Sequence, residues 1–265
     1  MTPEQLLAHY DDGRLWPEAP GQAPGFDLAA AYQAQLAVRR LRIRRGEQPR
    51  GFKIGFTNRG IWPRYGVFGP VWGTVWDTTL SFCQGRGEVK LGRSCQPRIE
   101  PEAVFCMARK PPAGASMDEL FDSIDWIAPG FEIVQSHSPG WKFQAPDTVA
   151  DGGLHAHLLV GPSVPVRQVG ATAAAFEKAM AACEVRLLKG GEERESGRGA
   201  SVLDGPLHAL HHFLQELRSC PGAPDLEPGD VVTTGTWTDA YPVAPGECWT
   251  GLFAAPLSRL EVGFT

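Results

Sequence analysis

The sequence predicts an α+β protein in which a helical N-terminal segment precedes a large, curled, mixed β-sheet. Apolar residues recur at helical spacing over residues 1–50 and in a few later segments. From Gly51 the period changes to two, since Phe52 and Ile54 alternate with Lys53 and Gly55. The 31 glycines and 23 prolines are spread along the chain, which favours many short strands joined by tight turns.

Several segments have the pattern of amphipathic helices. Leu28, Tyr32 and Leu36 recur every four residues, so one face of the second helix is expected to meet a core. Gly46 is a typical C-terminal stop signal for this helix. Pro206 falls in the first turn of the last helix, where a missing N–H costs nothing. The predicted helices cover residues 3–10, 26–45, 168–182 and 206–218.

Short apolar runs bounded by turn residues predict the strands. Gly190 and Gly191 are expected to join two of them as a hairpin. The apolar and aromatic stretch 71–80 contains one charged residue, Asp77. We expect residues 1–50 to form an N-terminal helical segment and residues 51–265 the main domain. Beyond the strand at Gly51, strands are predicted over residues 98–107, 130–135, 158–160, 184–188, 192–195, 229–234 and 257–264.

The composition excludes several classes of protein. The net charge of -5 argues against bulk nucleic-acid binding, and the basic run 39–45 closes a predicted helix, where cations are favourable. We expect no membrane span and no signal peptide. The six cysteines are scattered without a CxxC pair, which favours reduced thiols in the cytoplasm over a zinc or redox motif. Phosphate-loop, zincin and nucleophile-elbow motifs are missing.

Acidic residues inside apolar strands form the main candidate site. Glu100 and Glu102 alternate along one strand and share a face, while Glu132 has apolar flanks in another strand. Neighbouring carboxylates repel each other and a lone buried carboxylate is costly, so a shared cation would stabilise them. Oxygen ligands without nearby cysteine favour Mg²⁺ or Mn²⁺. The alternative is a solvated strand face on which Arg98 neutralises the acids.

Four further residues are candidates for proton transfer. Lys53 lies between apolar neighbours, so burial is expected to lower its pKa into a useful acid/base range, unless it lies on an exposed face. Asp77 is likewise either exposed or partly buried with an acid/base role. A Lys53–Asp77 pair near a metal-bound substrate would be a reasonable proton-transfer unit. His155 and His157 share one face if they belong to a strand, with structural or catalytic roles.

The motifs fall in an order that resembles the hydratase/decarboxylase branch of the fumarylacetoacetate hydrolase superfamily. The resemblance implies a β-rich α+β fold, with a mixed sheet rolled around the active site and a helical N-terminal segment. It implies Mg²⁺ or Mn²⁺ on Glu100, Glu102 and Glu132, acid/base or orienting roles for Lys53 and Asp77, and homo-oligomers. The motifs are GFKIGFT (51–57), WGTVWD (72–77), RIEPEAVF (98–105), GFEIVQS (130–136), WKFQAPDTVAD (141–151) and GDVVTTGTWT (229–238).

The resemblance also implies an activity and a substrate-binding turn, Thr234, Gly235 and Thr236. The leading expectation is a metal-dependent hydratase that adds water to a 2-hydroxy-2,4-dienoate or 2-oxo-enoate in aromatic-compound (meta-cleavage) catabolism. Alternatives are a 4-oxalocrotonate-type decarboxylase, an acylpyruvate C–C hydrolase using His155, and a non-catalytic partner of a pathway enzyme. One departure stands out: where the hydratases carry small serine and glycine residues, this chain has Gly152-Gly153-Leu154-His155-Ala156-His157.

Overall fold

The computed structural model describes residues 1–265 as helices and two mixed sheets. Five short 3-10 turns cover Pro20–Gln22, Arg59–Ile61, Pro139–Trp141, Gly152–Leu154 and Gly199–Ser201. The helices are α1 Pro3–Asp12, α2 Leu28–Arg44, α3 Trp62–Tyr65, α4 Met117–Phe121, α5 Ala145–Ala150, α6 Val166–Val169, α7 Ala173–Ala182 and α8 Pro206–Ser219.

The strands follow the sequence pattern over most of the chain. The larger sheet has nine strands in the order β2-β1-β11-β5-β6-β7-β3, with β12 beside β5 and β8 beside β6; the smaller has five in the order β10-β9-β13-β14-β4. The strands are β1 Pro49–Gly55, β2 Val71–Trp76, β3 Leu80–Phe82, β4 Arg86–Val89, β5 Arg98–Met107, β6 Ile124–Val134, β7 His155–Val160, β8 Val164–Pro165, β9 Glu184–Lys189, β10 Glu192–Arg198, β11 Val231–Thr233, β12 Tyr241–Pro242, β13 Cys248–Phe253 and β14 Leu260–Phe264.

The larger sheet is rolled, as expected. Strands β2 and β3 lie at opposite ends of the strand order, yet only the short turn 77–79 separates them in the chain. The sheet must therefore curl until its two ends meet. The backbone N–H of Leu158 in β7 donates to the Thr79 carbonyl at this junction, over 2.8 Å. The roll creates one interior face and one exterior face.

The two faces of the rolled sheet have different contents. On the exterior, Phe52 packs on Phe213 of α8 with ring centroids 5.3 Å apart, and Phe105 packs on Phe176 of α7 at 5.9 Å. Burying each such ring contributes about 1.5–3 kcal/mol. One end of the interior is filled by a small apolar cluster of Val75, Val104, Ala128, Leu158, Val160 and Val231.

Helix ends explain where several elements begin and stop. Thr2 and Gln5 form a capping box on α1, and the Asp27 side chain accepts from Ala30 N–H at the start of α2. The apolar stretch 71–80 is divided between β2 and β3, because the chain turns after Trp76. One expectation is wrong. The helix over 168–182 is broken, because Gly170 is extended and the Thr172 side chain caps a new helix.

The N-terminal helices pack directly on the main domain. Gln35 of α2 is buried, and its amide donates to the carbonyls of Trp72 and Val149 over 2.8 and 3.2 Å. The domain boundary at residue 50 stays a prediction. All six cysteines are free thiols. None of the helices combines the length and the apolar character needed to cross a bilayer.

Candidate metal centre and active-site pocket

Three carboxylates meet on the interior face of the roll. Glu100 and Glu102 alternate along β5, and antiparallel pairing of β5 with β6 places Glu132 directly opposite Glu100. Ligand oxygens of the three residues lie within 4.8 Å of one another. Glu102 and Glu132 are fully buried, while Glu100 is partly exposed. The structure therefore brings the three predicted metal ligands together.

Each fully buried carboxylate has one occupied and one free oxygen. Glu102 Oε2 accepts from the backbone N–H of Gly235 over 2.6 Å, and Glu132 Oε1 is 2.9 Å from His155 Nδ1. Glu102 Oε1 and Glu132 Oε2 have no hydrogen-bond partner. Glu132 Oε2 has only the Lys53 ammonium nearby, at 3.3 Å, and burying oxygens without hydrogen bonds is costly. A cation between them would supply the partner, so the cluster fits a divalent metal with oxygen ligands.

Burial dominates the electrostatics of the three carboxylates. It raises the pKa of Glu132 to about 8, with a further contribution from Glu100 that the Lys53 ammonium opposes. Burial also raises the pKa of Glu102 well above its ordinary value, and Glu132 and Glu100 raise it further. The pKa of Glu100 is raised by burial against the charges of Lys53 and Arg98. Binding of a proton or a cation would reduce the repulsion among the three carboxylates and the cost of burying their charge.

Lys53 reaches the same cluster from β1. Its Nζ donates to the Gly153 carbonyl over 2.8 Å and lies 3.3 Å from Glu132 Oε2, and the side chain is buried. Burial would lower the pKa of Lys53, but Glu132, Glu100 and Glu102 together raise it. The expected lowering is therefore wrong for the free carboxylate cluster, because the fold brings three carboxylates that are distant in sequence to the ammonium group.

Glycines allow the backbone to approach Lys53. A Cβ on Gly73, opposite Lys53 in β2, would lie 1.9 Å from the Gly152 carbonyl oxygen. Gly153 adopts a positive φ of 74°. Only glycine permits this backbone approach, which puts the Gly153 carbonyl within reach of the ammonium group.

A pocket of about 420 Å³ opens onto Lys53 and Glu100. Arg98 lines it beside Glu100, with its guanidinium carbon 4.2 Å from the centre of the Trp141 ring. No hydrogen bond joins this guanidinium to the rest of the protein, although it carries five N–H donors. The aromatic wall of the pocket is completed by Phe56, Tyr65 and Phe143, whose rings stack in sequence.

The predicted substrate turn contributes unequally to the pocket. Gly235 and Thr236 line it, and Gly235 also holds Glu102. Gly235 has a φ of 91°, and a Cβ there would lie 1.9 Å from Thr57 Oγ1. Thr234 is fully buried instead, and its hydroxyl donates to the Ala103 carbonyl over 3.1 Å. The pocket role expected for Thr234 is therefore wrong, since its side chain is committed to β5.

Asp77 does not reach the site. It is exposed in the turn after β2, where its backbone and side chain bond the backbone of Gln48. Lys53 pairs with Gly73, four residues earlier, so the two backbones are roughly 13 Å apart along the strand. The structure thus contradicts the Lys53–Asp77 proton-transfer unit.

The two histidines of the unusual segment are separated. The register shifts between the pairs Ile133–His157 and Val134–His155, so a bulge interrupts β7. His155 is buried against Glu132 and does not line the pocket, whereas His157 is partly exposed and lies 3.4 Å from Ser94 Oγ. This position does not suit His155 as a base for water in an acylpyruvate hydrolase.

Three residues of the site were not predicted to belong to it, although Arg98 was expected beside the acids. Gly153 supplies the carbonyl that holds Lys53, Trp141 supports Arg98, and Arg98 itself faces the pocket without pairing to an acid. A signal existed for Arg98, because strand alternation places it on the face of Glu100 and Glu102. Nothing local marks Gly153 or Trp141.

The fold and site thus define a protein with a three-carboxylate centre inside a rolled sheet. The family described as fumarylacetoacetate (FAA) hydrolase C-terminal matches residues 74–253, and the chain belongs to this family. This confirms the resemblance inferred from the ordered motifs.

Two relatives and one solved structure are similar to this chain over most of its length. A 2-keto-4-pentenoate hydratase of Burkholderia vietnamiensis is 31% identical, covering 80% of this chain and 77% of its own. A 4-oxalocrotonate decarboxylase of a Pseudomonas species is 26% identical, over 93% and 92% of the two chains. A solved structure of a 4-oxalocrotonate decarboxylase from Pseudomonas putida, complexed with magnesium and adipate, aligns with a TM-score of 0.86 and 25% identity. The alignment covers 100% of this chain and 99% of that one.

Proposed function

We propose that the protein is a divalent-metal-dependent lyase that adds water to a 2-hydroxy-2,4-dienoate or its 2-oxo-enoate tautomer. The observation that carries this proposal is the buried carboxylate cluster, in which two oxygens make no hydrogen bond and from which Glu100, together with Lys53, reaches the pocket. Relatives named as hydratases of such acids support it. The substrate class is a small organic acid, and aromatic-compound catabolism is the expected setting.

Glu100, Glu102 and Glu132 would hold Mg²⁺ or Mn²⁺. When bound there, the cation supplies Lewis acidity that stabilises negative charge on a 2-oxo acid by several kcal/mol. Gly235 N–H and His155 keep one oxygen of each buried ligand occupied, which leaves the other free. A cation also offsets the carboxylate charge around Lys53, so its pKa falls relative to the free cluster.

Lys53 is the proposed proton carrier. The Gly153 carbonyl fixes its ammonium group at the pocket floor. Tautomerisation of the dienol removes the hydroxyl proton and adds one at the far end of the conjugated system. Water then adds its hydroxyl group to C4 and its proton to C3, which gives a 4-hydroxy-2-oxo acid. Lys53 can donate and accept these protons, a contribution of typically 10²–10⁴-fold in rate.

Loss of dienoate absorbance tests the proposal. We expect turnover to stop after chelation with EDTA and to return on addition of Mn²⁺ or Mg²⁺. Calorimetric titration with Mn²⁺ gives the independent measurement, with one ion expected per carboxylate cluster. Full turnover in thoroughly chelated protein would contradict the metal role, and failure to bind Mn²⁺ would favour a non-catalytic partner.

A second candidate, decarboxylation of a vinylogous 2-oxo diacid, is favoured by Arg98. Its unpaired guanidinium lies two residues from Glu100 on the same strand face, a step of about 6.6 Å. A bidentate guanidinium suits a second carboxylate at that distance. The related decarboxylase from Pseudomonas putida was crystallised with adipate, which is a dicarboxylate. The exposed Asp239, which also lines the pocket, would repel the second carboxylate of such a substrate.

Matched inhibitors separate the two candidates. We expect Arg98→Met to weaken inhibition by 2-oxoadipate about 10- to 100-fold, from the loss of a charge-assisted hydrogen bond, and to leave 2-oxopentanoate unchanged. Release of CO₂ from a 2-oxo diacid identifies the decarboxylase. Equal weakening of both inhibitors would exclude a specific carboxylate role for Arg98.

Assembly and location remain proposals. We infer a homo-oligomer from the family resemblance, with a pathway enzyme as its second partner and the cytoplasm as the expected location. Two aromatic side chains, Phe68 and Phe82, are 88% and 59% exposed. Sedimentation at several concentrations tests assembly, and a monomer throughout would contradict it.

A further inference from the structure

His155 lies behind Glu132, away from the pocket. Its Nδ1 is 2.9 Å from Glu132 Oε1 and its Nε2 is 2.8 Å from Thr79 Oγ1. The side chain is only 3% exposed, and both ring nitrogens have partners. The imidazole is therefore fixed between the end of the rolled sheet and one carboxylate of the cluster.

The hydrogen-bond network assigns the imidazole tautomer. Trp76 N–H donates to Thr79 Oγ1 over 3.1 Å, and the Thr79 hydroxyl has two acceptors within reach, the Trp76 carbonyl at 3.2 Å and His155 Nε2 at 2.8 Å. Because Glu132 can only accept when it is ionised as a metal ligand, the proton of the neutral ring lies on Nδ1 and is donated to Glu132 Oε1. Nε2 is then an acceptor for the Thr79 hydroxyl, so hydrogen bonds connect the end of β2 through Thr79 and His155 to the carboxylate.

This contact decides which Glu132 oxygen is free. With Oε1 held by His155, Oε2 is left without a hydrogen-bond partner, 3.3 Å from Lys53 Nζ. The backbone N–H of Gly235 does the same for Glu102, leaving its Oε1 free. Both buried carboxylates are thus oriented by one donor each, and for Glu132 that donor is a side chain.

Local backbone geometry places the imidazole there. Gly152, Gly153 and Leu154 have φ values of 65°, 74° and 66°, so the chain enters β7 through three consecutive left-handed residues. The β7 bulge then separates His155 from His157, which lies near Ser94 instead. His157 is therefore a matched internal control for His155.

We propose that His155 is a positioning residue of the metal centre, which orients Glu132 through Nδ1 and keeps Oε2 available as a ligand. The inference rests on the proposed function, because it requires the cluster to bind a divalent cation. It deepens that function, since outer contacts to ligands typically change metal affinity by about 10- to 100-fold.

Mn²⁺ affinity measured by calorimetry on chelator-treated full-length protein tests this role. His155→Leu removes the donor, and we expect the affinity to fall about 10- to 100-fold. Asn reproduces the position of Nδ1, and Gln approximates that of Nε2. We therefore expect His155→Asn to keep most of the affinity and His155→Gln to lose it. His157→Leu should bind Mn²⁺ like the wild type.

The outcomes separate the two proposals. Wild-type affinity in both His155→Leu and His155→Gln, or equal losses in His157→Leu, would overturn the positioning role while leaving the metal centre intact. Absence of Mn²⁺ binding in the wild type would overturn both proposals. Thermal unfolding of each variant checks the fold, and if the Leu variant fails to fold, the comparison of the Asn and Gln variants decides.

Discussion

Two buried carboxylate–imidazole pairs lie in this molecule, and they differ in how many carboxylate oxygens are occupied. In the Glu132–His155 pair, Oε1 contacts the ring, while Oε2 makes no hydrogen bond and has only the Lys53 ammonium nearby, at 3.3 Å. In the Asp151–His137 pair, Oδ1 lies 2.5 Å from the ring Nδ1 and Oδ2 accepts the backbone N–H of His137 over 2.8 Å. The first carboxylate can still bind a ligand, whereas the carboxylate of the second, saturated pair cannot, and the atom of that pair without a hydrogen-bond partner is His137 Nε2.

The two imidazoles also differ in charge. Burial lowers the pKa of His155 well below its ordinary value, and the charges of Lys53 and Arg42 add to this. Burial would also lower the pKa of His137, but Asp151 raises it to about 10. His137 is thus a cation stacked on Trp16, with ring centroids 5.7 Å apart. Both pairs consist of a carboxylate and an imidazole, so the residue types do not show which one can bind a ligand. The carboxylate oxygen without a hydrogen bond marks the Glu132–His155 pair.

The largest expected effect follows from removing the free oxygen. Glu132→Gln should abolish Mn²⁺ binding and lower turnover by about 10³-fold or more, equivalent to several kcal/mol of lost charge stabilisation. Asp151→Asn is the matched change in the saturated pair, and it should leave Mn²⁺ affinity unchanged. Calorimetry and dienoate decay measure both. Equal loss of Mn²⁺ binding in the two variants would remove the distinction between the pairs.

Lys53→Met should have the next largest effect. The variant lacks the proton carrier but keeps all three carboxylates, so turnover should fall about 10²–10⁴-fold while the protein still binds Mn²⁺. The Michaelis constant and the turnover number, measured separately, distinguish this from a binding defect. Turnover near the wild-type rate would rule out Lys53 as the acid/base group.

The saturated pair should control stability and its pH dependence. Because the folded-state pKa of His137, about 10, exceeds the ordinary value near 6.5, the folded protein holds an extra proton between these values. The contribution is complete below pH about 6.5 and is lost as the pH rises toward about 10, by at most about 1.4 kcal/mol per pH unit. Asp151→Asn should cost about 3–5 kcal/mol in the acidic part of this range.

Urea unfolding across this pH range measures the effect. The difference between wild type and Asp151→Asn isolates the pair from other titrating groups, and it should shrink as the pH rises. A difference that is constant with pH would show that the pair contributes no linked proton. Glu132→Gln should keep this pH dependence, because the variant retains the His137–Asp151 pair.

Local patterns account for what the sequence predicted well. Alternation along one strand was enough to put Glu100 and Glu102 on one face, and pairing with β6 then added Glu132. The hairpin of β9 and β10 and the long helices α2 and α8 also follow from spacing and turn residues. These features depend on neighbours in the chain, so periodicity is sufficient to find them.

The remaining features depend on contacts that are distant in sequence. His155 faces Glu132 because of a bulge and three left-handed residues, neither of which strand alternation anticipates. The pKa of Lys53 rises because three carboxylates come from other strands. Thr234 was assigned to the pocket by resemblance, but its hydroxyl is bound by the Ala103 carbonyl.

Substitution of Asp77 should have the smallest effect on turnover and stability. Asp77 belongs to neither buried pair, because its carboxylate is exposed and accepts only the Gln48 backbone N–H. Asp77→Asn should therefore change turnover by less than about twofold and stability by at most about 0.5 kcal/mol, as for ordinary surface sites. Steady-state kinetics and urea unfolding measure both. A loss comparable to that of Lys53→Met would mean that Asp77 reaches an active site after all, and a subunit contact near the turn 77–79 would then be the first place to look.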